Sequence, residues 1–402
     1  MIKDRDFIVF SDDWGRHPFS CMHIMKRFLP QNRILWVNTV GMRLPKLSFY
    51  DLYRSIEKMG SWFGRSTSRE ELPANLTVIS PVTIPFNNHS SVRRFNRLSV
   101  IRAVRKEMIR LRIKEPLFLT TLPTANDYVG AFNEVVDVYY CVDEYSKWPG
   151  ALKEMLERME SDLIRKVDLI VATSEELQRA NRSESCPTYL LTHGVDTEHF
   201  NKAKNLVPHP LFDTLKKPVI GYFGLIDGHV DLGLLEFLMK EKPEWSFIFI
   251  GPVKVDIDNL KRHKNANFFP PVSYLDLPKY LAGLDVCILP YKVNELTRYS
   301  NPLKLKECLA AGKPVVSTAL PEVMKLKEAV RVALGKEEFL VQVSDALTRP
   351  FNRTCAEKVL QGEDWSIKAE KMSGYIEEAI KRKVISQGRL PLGLREELKG
   401  AR

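Results

Sequence analysis

No stretch of this sequence approaches the roughly 20 apolar residues that a helix needs to cross a bilayer. The longest apolar runs, such as Val167 to Thr173 with Asp168 inside it and Val219 to Ile226, are far shorter. A multi-span membrane protein is therefore excluded. Met1 leads almost directly into Phe7-Ile8-Val9-Phe10, with acidic residues on both sides and no long apolar leader or small-residue cleavage site, so the expectation is a protein that is not secreted. Cysteine is sparse. Cys21, Cys141, Cys186, Cys287, Cys308 and Cys355 are scattered without a C-x-x-C pair, which argues against a disulfide framework and a structural zinc site and for buried thiols in a reducing cytosol. His17, His23, His193, His199 and His229 show no paired metal-ligand spacing, so no metal is expected. His193 in the interdomain link and His229 near a candidate ligand loop are the two that invite a functional reading. The G-x-S-x-G elbow of hydrolases and the P-loop lysine motif are lacking.

What is present fits two globular domains. A chain of 402 residues exceeds one ordinary domain and is long enough to bury a core in each of two. The net charge of +10 is unevenly spread: +12 over residues 1–114, −9 over 115–200 and +7 over 201–402. Between Arg93 and Lys114, Arg93, Arg94, Arg97, Arg102, Arg105, Lys106, Arg110, Arg112 and Lys114 face a single acid, Glu107. The apolar residues Leu98, Ile101, Val104, Met108 and Leu111 recur there at three- and four-residue steps, which predicts a helix with one apolar stripe and a basic flank. Such a helix could be a solvated surface helix, or it could attract anionic lipid headgroups or phosphorylated substrates. Nucleic acid is not expected as a partner, because no zinc finger, RNA-recognition signature or aromatic–basic interleaving accompanies the charge.

Short β-branched runs alternate with helical patterns, the signature of α/β architecture with parallel sheets. One series comprises Phe7–Phe10, Arg33–Val37, Leu76–Ser80, Leu117–Thr121, Val136–Cys141, Leu169–Thr173 and Tyr189–Leu191. A second comprises Val219–Phe223, Ser246–Ile250, Asn267–Phe269, Val286–Leu289 and Val315–Ser317. Two doubly wound, Rossmann-like domains are predicted, one over 1–200 and one over 218–365, with a linker at 201–217 marked by Pro208, Pro210 and Lys216-Lys217. A helix at 366–383 and a loose tail at 384–402 complete the chain.

The segment Arg298 to Pro314 is the strongest site candidate. Asn301 is read as the N-cap of a helix with Pro302 at its first position, and Gly312 and Pro314 end it. A helix N-terminus suits a phosphate or pyrophosphate. Arg298 and Lys304 could add full charges, and Glu307 could accept two ribose hydroxyls. The plainer alternative is a capped amphipathic helix with surface charges. Asp143 and Glu144 follow the run ending at Cys141, at the strand end where open α/β sheets bind ligands, and either could orient a ligand hydroxyl. Ser11-Asp12-Asp13-Trp14-Gly15-Arg16 occupies the equivalent position after the first run. Gly15 and Arg16 could approach phosphate there while Asp13 faces a second substrate; Asp12 or Asp13 could equally cap the next helix.

Ser300-Asn301-Pro302-Leu303-Lys304-Leu305-Lys306-Glu307-Cys308-Leu309-Ala310-Ala311-Gly312-Lys313-Pro314-Val315-Val316 resembles the donor-site segment of retaining GT-B glycosyltransferases of the family-4 type. Thr192-His193-Gly194-Val195-Asp196 is similar to the N-G-V-D link of that family, and Asp168 to Ser174 is similar to the strand that closes its first domain. Asp285 to Pro290 and Glu363 to Ser366 match its strand before the donor site and its closing segment. The resemblance implies a GT-B fold, two domains facing a central cleft with the C-terminal helix crossing back, and transfer of a sugar from a UDP- or GDP-sugar with retention of anomeric configuration. It implies no metal and no other cofactor. Asp143, Lys304 and Glu307 would carry the chemistry, and Gly15, Arg16, Gly224, Asp227, Arg298, Tyr299, Ser300, Asn301, Leu303, Lys304 and Glu307 would bind the donor. The implied acceptor is a lipid-linked or membrane-surface glycan in bacterial cell-surface polysaccharide assembly, reached from the cytoplasmic face by peripheral attachment to an anionic membrane. Three positions depart from the family pattern: Tyr299 replaces the first glutamate of its E-x7-E pair, the Arg and Lys expected within Gly221 to Asp231 are lacking, and Val142 replaces the usual His before Asp143. A catalytically degenerate binding or scaffold subunit, and a nucleotide-sugar epimerase or hydrolase of the same fold, are the alternatives.

Overall fold

The structure is a computed structural model that describes residues 1–15, 19–38, 72–84, 87–148, 150–349 and 351–386. Its contacts divide the chain into two compact units, one of Met1–Thr173, Leu177–Leu191 and Ala369–Arg402, the other of Ser174–Glu176 and Thr192–Lys368.

The first unit holds a sheet of β1 (Asp6–Ser11), β2 (Arg33–Asn38), β3 (Leu76–Ile79), β4 (Leu117–Thr120), β5 (Val136–Cys141), β6 (Leu169–Ala172) and β7 (Thr188–Leu190) in the order β3-β2-β1-β4-β5-β6-β7. Every pairing is parallel, with Ile8 opposite Leu35 on one side and Phe118 on the other. The strands are apolar at nearly every position because helices cover both faces. Ile8 and Phe10 join Val100, Ile101, Val104 and Met108 of the helix Ser90–Leu111 in one core, while Phe7 meets Phe28 of the helix Ser20–Phe28 at 5.4 Å.

The second unit holds β8 (Val219–Phe223), β9 (Ser246–Ile250), β10 (Ala266–Phe269), β11 (Val286–Leu289), β12 (Val315–Thr318) and β13 (Arg331–Ala333), ordered β10-β9-β8-β11-β12-β13. This sheet too is parallel throughout. Two doubly wound sheets are the architecture predicted from the alternating runs. The strand β13 is the addition: three residues beginning with an arginine carry too little apolar pattern to be read locally, and it forms because β12 offers an edge.

Residues 201–217, read above as a linker, are not extended. They form short helical turns at Lys202–Lys204 and Pro210–Thr214, and Ala203 and Phe212 enter the core of the second unit. The helix Trp365–Ser386 outruns the expected 366–383. Its first residues, to Lys368, belong to the second unit, and from Ala369 it belongs to the first. There Ser373 Oγ accepts from the Ile2 amide at 2.6 Å, Tyr375 stacks on Tyr189 with ring centres 4.2 Å apart, and Lys383 pairs with Asp168 at 2.6 Å and Asp137 at 3.2 Å.

The basic helix also differs from its sequence reading. Its buried stripe is Val100, Ile101, Val104 and Met108 with Asn96, whereas Leu98 is exposed. Much of its charge serves the fold. Arg93 forms a two-pronged ion pair with Asp127 at 2.7 and 2.6 Å, Arg97 donates to the Asp127 carbonyl, Arg105 to the Ala131 carbonyl, and Arg110 pairs with Glu107.

Candidate functional site

In each sheet the strand order reverses once, and the crevice at the carboxyl ends of the strands flanking that reversal is where ligands of open α/β sheets bind. In the second unit the reversal lies between β8 and β11. After β8 the chain turns at Gly224, whose φ of +121° suits glycine. The following loop is pinned on both sides: the Ile226 amide donates to the Pro252 carbonyl, Asp231 to Pro290 and Lys292 to His229. Within it, Asp227 Oδ1 accepts from the His229 amide at 3.0 Å and meets His229 Nδ1 at 2.8 Å. Burial pushes the Asp227 carboxyl up, but the two His229 contacts and the Lys304 charge outweigh it and hold it below its ordinary value.

Across this crevice runs the helix Leu303–Ala310. It begins one residue later than predicted. Pro302, not Asn301, is its N-cap, with extended backbone and no capping bond from its own side chain. The reason is chemical: proline at the N-cap has no oxygen to offer. One turn in, the Lys304 stem lies against Gly224, and its ammonium stands 5.9 Å from the centre of the Tyr222 ring. Burial works against that charge, yet Tyr291, Glu307 and Asp227 together keep its pKa above the ordinary lysine value. Glu307, only 6% exposed on the buried side of the same helix, is pushed up to about 7 by burial, with Lys304 pulling the other way. The pair is a fixed cation beside a carboxyl that titrates near neutrality. Tyr291 is the residue that the sequence reading missed. It follows the Pro290 that ends β11, and only the pairing of Val230 with Tyr291 brings its ring near Tyr222, at 6.3 Å.

Other predicted residues lie nearby in the chain but are used differently. Arg298 forms an ion pair with Glu176 at 2.9 Å, and the Tyr299 carbonyl accepts from Ser174 Oγ at 2.7 Å. Ser300 closes a helical turn onto Thr297, and Ser300, Asn301 and Leu303 are partly buried. The structure thus gathers Gly224, Asp227, Lys304 and Glu307, whereas the side chain of Arg298 is turned to a carboxylate of the protein.

Lys306 takes no part in that crevice. It is buried and donates to the His193 carbonyl and to Glu363, and Lys368 reaches the other oxygen of Glu363 at 2.8 Å and Thr192 Oγ1 at 2.8 Å. Burial and the two lysines depress the His193 pKa to about 3. Next to it, a Cβ on Gly194 would meet the Trp365 ring at 2.7 Å, so the glycine of this link is required by close packing.

In the first unit the reversal lies between β1 and β4. Ser11 Oγ and Thr121 Oγ1 share a hydrogen bond of 2.8 Å at those strand ends. Asp143 follows β5. Its Oδ1 accepts from the Glu144 amide at 2.8 Å and its Oδ2 from Trp148 Nε1 at 2.9 Å, which fixes the carboxylate plane. Glu144 is buried and caps the next turn through Ser146. Tyr145, buried beside them, is pushed well up by burial and by the charges of Asp12 and Asp143. Gly15 has a φ of +84° with open space on its Cβ side, and Arg16 lies outside the described residues.

Comparison with known proteins accords with this geometry. A family model described as Glycosyl transferases group 1 matches residues 218–352, the part that holds the Lys304–Glu307 crevice. TuaH, a candidate teichuronic acid biosynthesis glycosyltransferase of Bacillus subtilis (strain 168), is 28% identical over 187 residues, which is 44% of this chain and 46% of that protein. The chain therefore matches about half the length of this curated relative. Among solved structures, sucrose-phosphate synthase from Thermosynechococcus elongatus superposes with a TM-score of 0.68 at 13% identity, over 94% of this chain and 100% of that one. An E. coli structure described as trehalose-6-phosphate bound with UDP-2-fluoro glucose gives 0.65 at 13% identity, over 94% and 99%. HepE of Anabaena in complex with UDP gives 0.62 at 13% identity, over 93% and 100%. The fold is that of the GT-B glycosyltransferases. No helix among the described residues is long and apolar enough to cross a membrane.

Proposed function

We propose that this chain is a glycosyltransferase that moves a sugar from a UDP- or GDP-sugar, with retention of anomeric configuration and without a metal ion, to a lipid-linked or membrane-surface glycan acceptor in bacterial cell-surface polysaccharide assembly. The observation that carries the reading is the half-buried Lys304 beside the buried Glu307 at the switch point of the second sheet. A nucleoside diphosphate needs both: a fixed cation for its phosphates and a carboxylate for its ribose hydroxyls. The match of residues 218–352 to glycosyl transferases group 1 and the UDP complexes among the structural neighbours support the donor class. The teichuronic acid relative supports the polysaccharide setting.

In this mechanism Lys304 and the N-terminal turn of its helix stabilise the negative charge that grows on the leaving diphosphate, a role of preorganised charge. Asp227 and Glu307 keep the ammonium protonated and in place before the donor arrives. Asp143, its carboxylate held by Trp148, orients the acceptor hydroxyl. The protein acts at the cytoplasmic face of the membrane as a peripheral protein.

Titration calorimetry of the whole chain with UDP and GDP, followed by transfer assays over a panel of donors and acceptors, tests this. Binding of one nucleotide, weakened by Lys304→Met and Glu307→Ala, is expected. If neither nucleotide binds, the site assignment is wrong. Tyr299, standing where a sugar-contacting glutamate is usual in the family resembled, favours a second reading, a binding subunit without turnover. It predicts the same calorimetry with no transfer over the panel.

A further inference from the structure

The helix Ser90–Leu111 has a second face that the core does not use. Phe95, Leu98, Arg102, Lys106 and Ile109 follow one another at steps of three and four residues, which places them on one side of the helix, opposite Val100, Val104 and Met108. Ile109 is 79% exposed, Phe95 50% and Leu98 42%. Arg94 and Arg105 flank the face, and the helix carries a single acid, Glu107, which is paired with Arg110. Arg94, Arg102 and Lys106 pair with no carboxylate among the described residues. The patch extends beyond the helix. Ser99 Oγ donates to the Val82 carbonyl at 2.7 Å, and Asn96 bonds both the amide and the carbonyl of Ile84 at 2.8 Å. These bonds fasten a strip alongside whose Val82 and Ile84 side chains are also exposed.

We infer that this face, made of Phe95, Leu98, Ile109, Val82 and Ile84 set among Arg94, Arg102 and Lys106, is the surface by which the protein docks on an anionic lipid bilayer. It deepens the membrane part of the function proposed above and rests on it only for the choice of setting. Two properties point to lipid. Exposed apolar side chains gain by entering the boundary between headgroups and acyl chains, whereas a soluble polyanion offers them nothing. The interspersed cations meet anionic headgroups in the same plane. A second copy of this chain is disfavoured as the occupant, since the two identical faces would bring Arg94, Arg102 and Lys106 against their equivalents.

The test is flotation of the full chain with vesicles of phosphatidylcholine alone or mixed with phosphatidylglycerol. The wild type is expected to float with the mixed vesicles only. Arg94→Glu/Arg102→Glu/Lys106→Glu should weaken that binding on the order of 100-fold, at about one order of magnitude or less per cation. Leu98→Ser/Ile109→Ser should weaken it as well and make what remains fully salt-sensitive. Because these side chains are exposed, both variants should keep the wild-type melting temperature and nucleotide affinity. Equal binding of wild type and both variants overturns the inference, as does wild-type binding to soluble heparin that loses nothing with Leu98→Ser/Ile109→Ser while vesicles are ignored. Vesicle binding without sugar transfer would leave the face standing and overturn the activity; transfer to a soluble acceptor without vesicle binding would do the reverse.

Discussion

A side-chain carbon on Gly224 would stand 2.1 Å from Cε of Lys304. The glycine is thus the floor of a slot that holds the lysine stem, and its φ of +121° is a conformation that other residues adopt with strain. Gly224→Ala is expected to push the Lys304 ammonium out of its place. Calorimetry should then show nucleotide affinity reduced by about tenfold or more, with a loss of stability of roughly 1–3 kcal/mol. Unchanged affinity would show that the position of Lys304 does not matter for binding.

Glu307 gives the site a pH dependence with a definite sign. Its folded-state pKa of about 7 lies above the ordinary glutamate value, so between the two values the folded protein holds a proton that the unfolded chain has lost. Stability from this group therefore falls as pH rises through that window. Nucleotide affinity should move the other way, rising from pH 6 to pH 8 as the carboxylate that accepts ribose hydroxyls forms. Glu307→Gln should flatten both dependences, which thermal melts and calorimetry across pH can check.

His193 has the opposite stability signature. Its pKa is depressed to about 3 by burial and by Lys306 and Lys368. The contribution of the neutral ring is fully present above the unfolded value near 6.5 and is lost as pH falls toward the folded one, with a slope of up to about 1.4 kcal/mol per pH unit. His193→Asn should flatten that acid limb in denaturant titrations between pH 4 and pH 7. An acid limb identical to the wild type would show that the ring is not the group responsible.

Glu363 sits between two buried lysines, Lys306 and Lys368. Glu363→Gln keeps the shape and removes the carboxylate that both ammonium groups share, which should cost about 3–5 kcal/mol. Exchanging Lys306 for Met in the same protein should recover part of that loss, because one buried charge is then gone. Equal stability of Glu363→Gln and the wild type in urea would mean that the lysines are neutral in the fold.

Lys383 ties the C-terminal helix to Asp137 and Asp168. Lys383→Met should destabilise the first unit by about 3 kcal/mol at pH 7, and less at acid pH, where the Asp137 carboxyl protonates. The carboxyl of Asp137 is pushed up to about 7, chiefly by burial, with Lys383 opposing, so losing the lysine should extend its protonation further into the neutral range. A melting temperature that does not move on substitution would remove this clasp from the account.

By itself the sequence determined the two sheets. Strands covered on both faces must be apolar at successive positions, so Phe7–Phe10 or Val219–Phe223 announce themselves without any knowledge of their neighbours. It also determined Lys304 and Glu307 as a pair one turn apart, because helical spacing alone sets that. Tertiary structure decided the rest, wherever a property depends on a partner distant in the chain. Tyr291 became a site residue because β11 ends beside the loop of β8. Arg298 was turned aside by Glu176, more than a hundred residues earlier, and the charge of Arg93 was taken by Asp127. Leu98 looked like core by spacing, yet a helix has one buried side, and the sheet beneath it chose Val100 and Val104. Local pattern fixes which residues can share a face; only packing fixes which face is covered and which charges remain to meet a ligand.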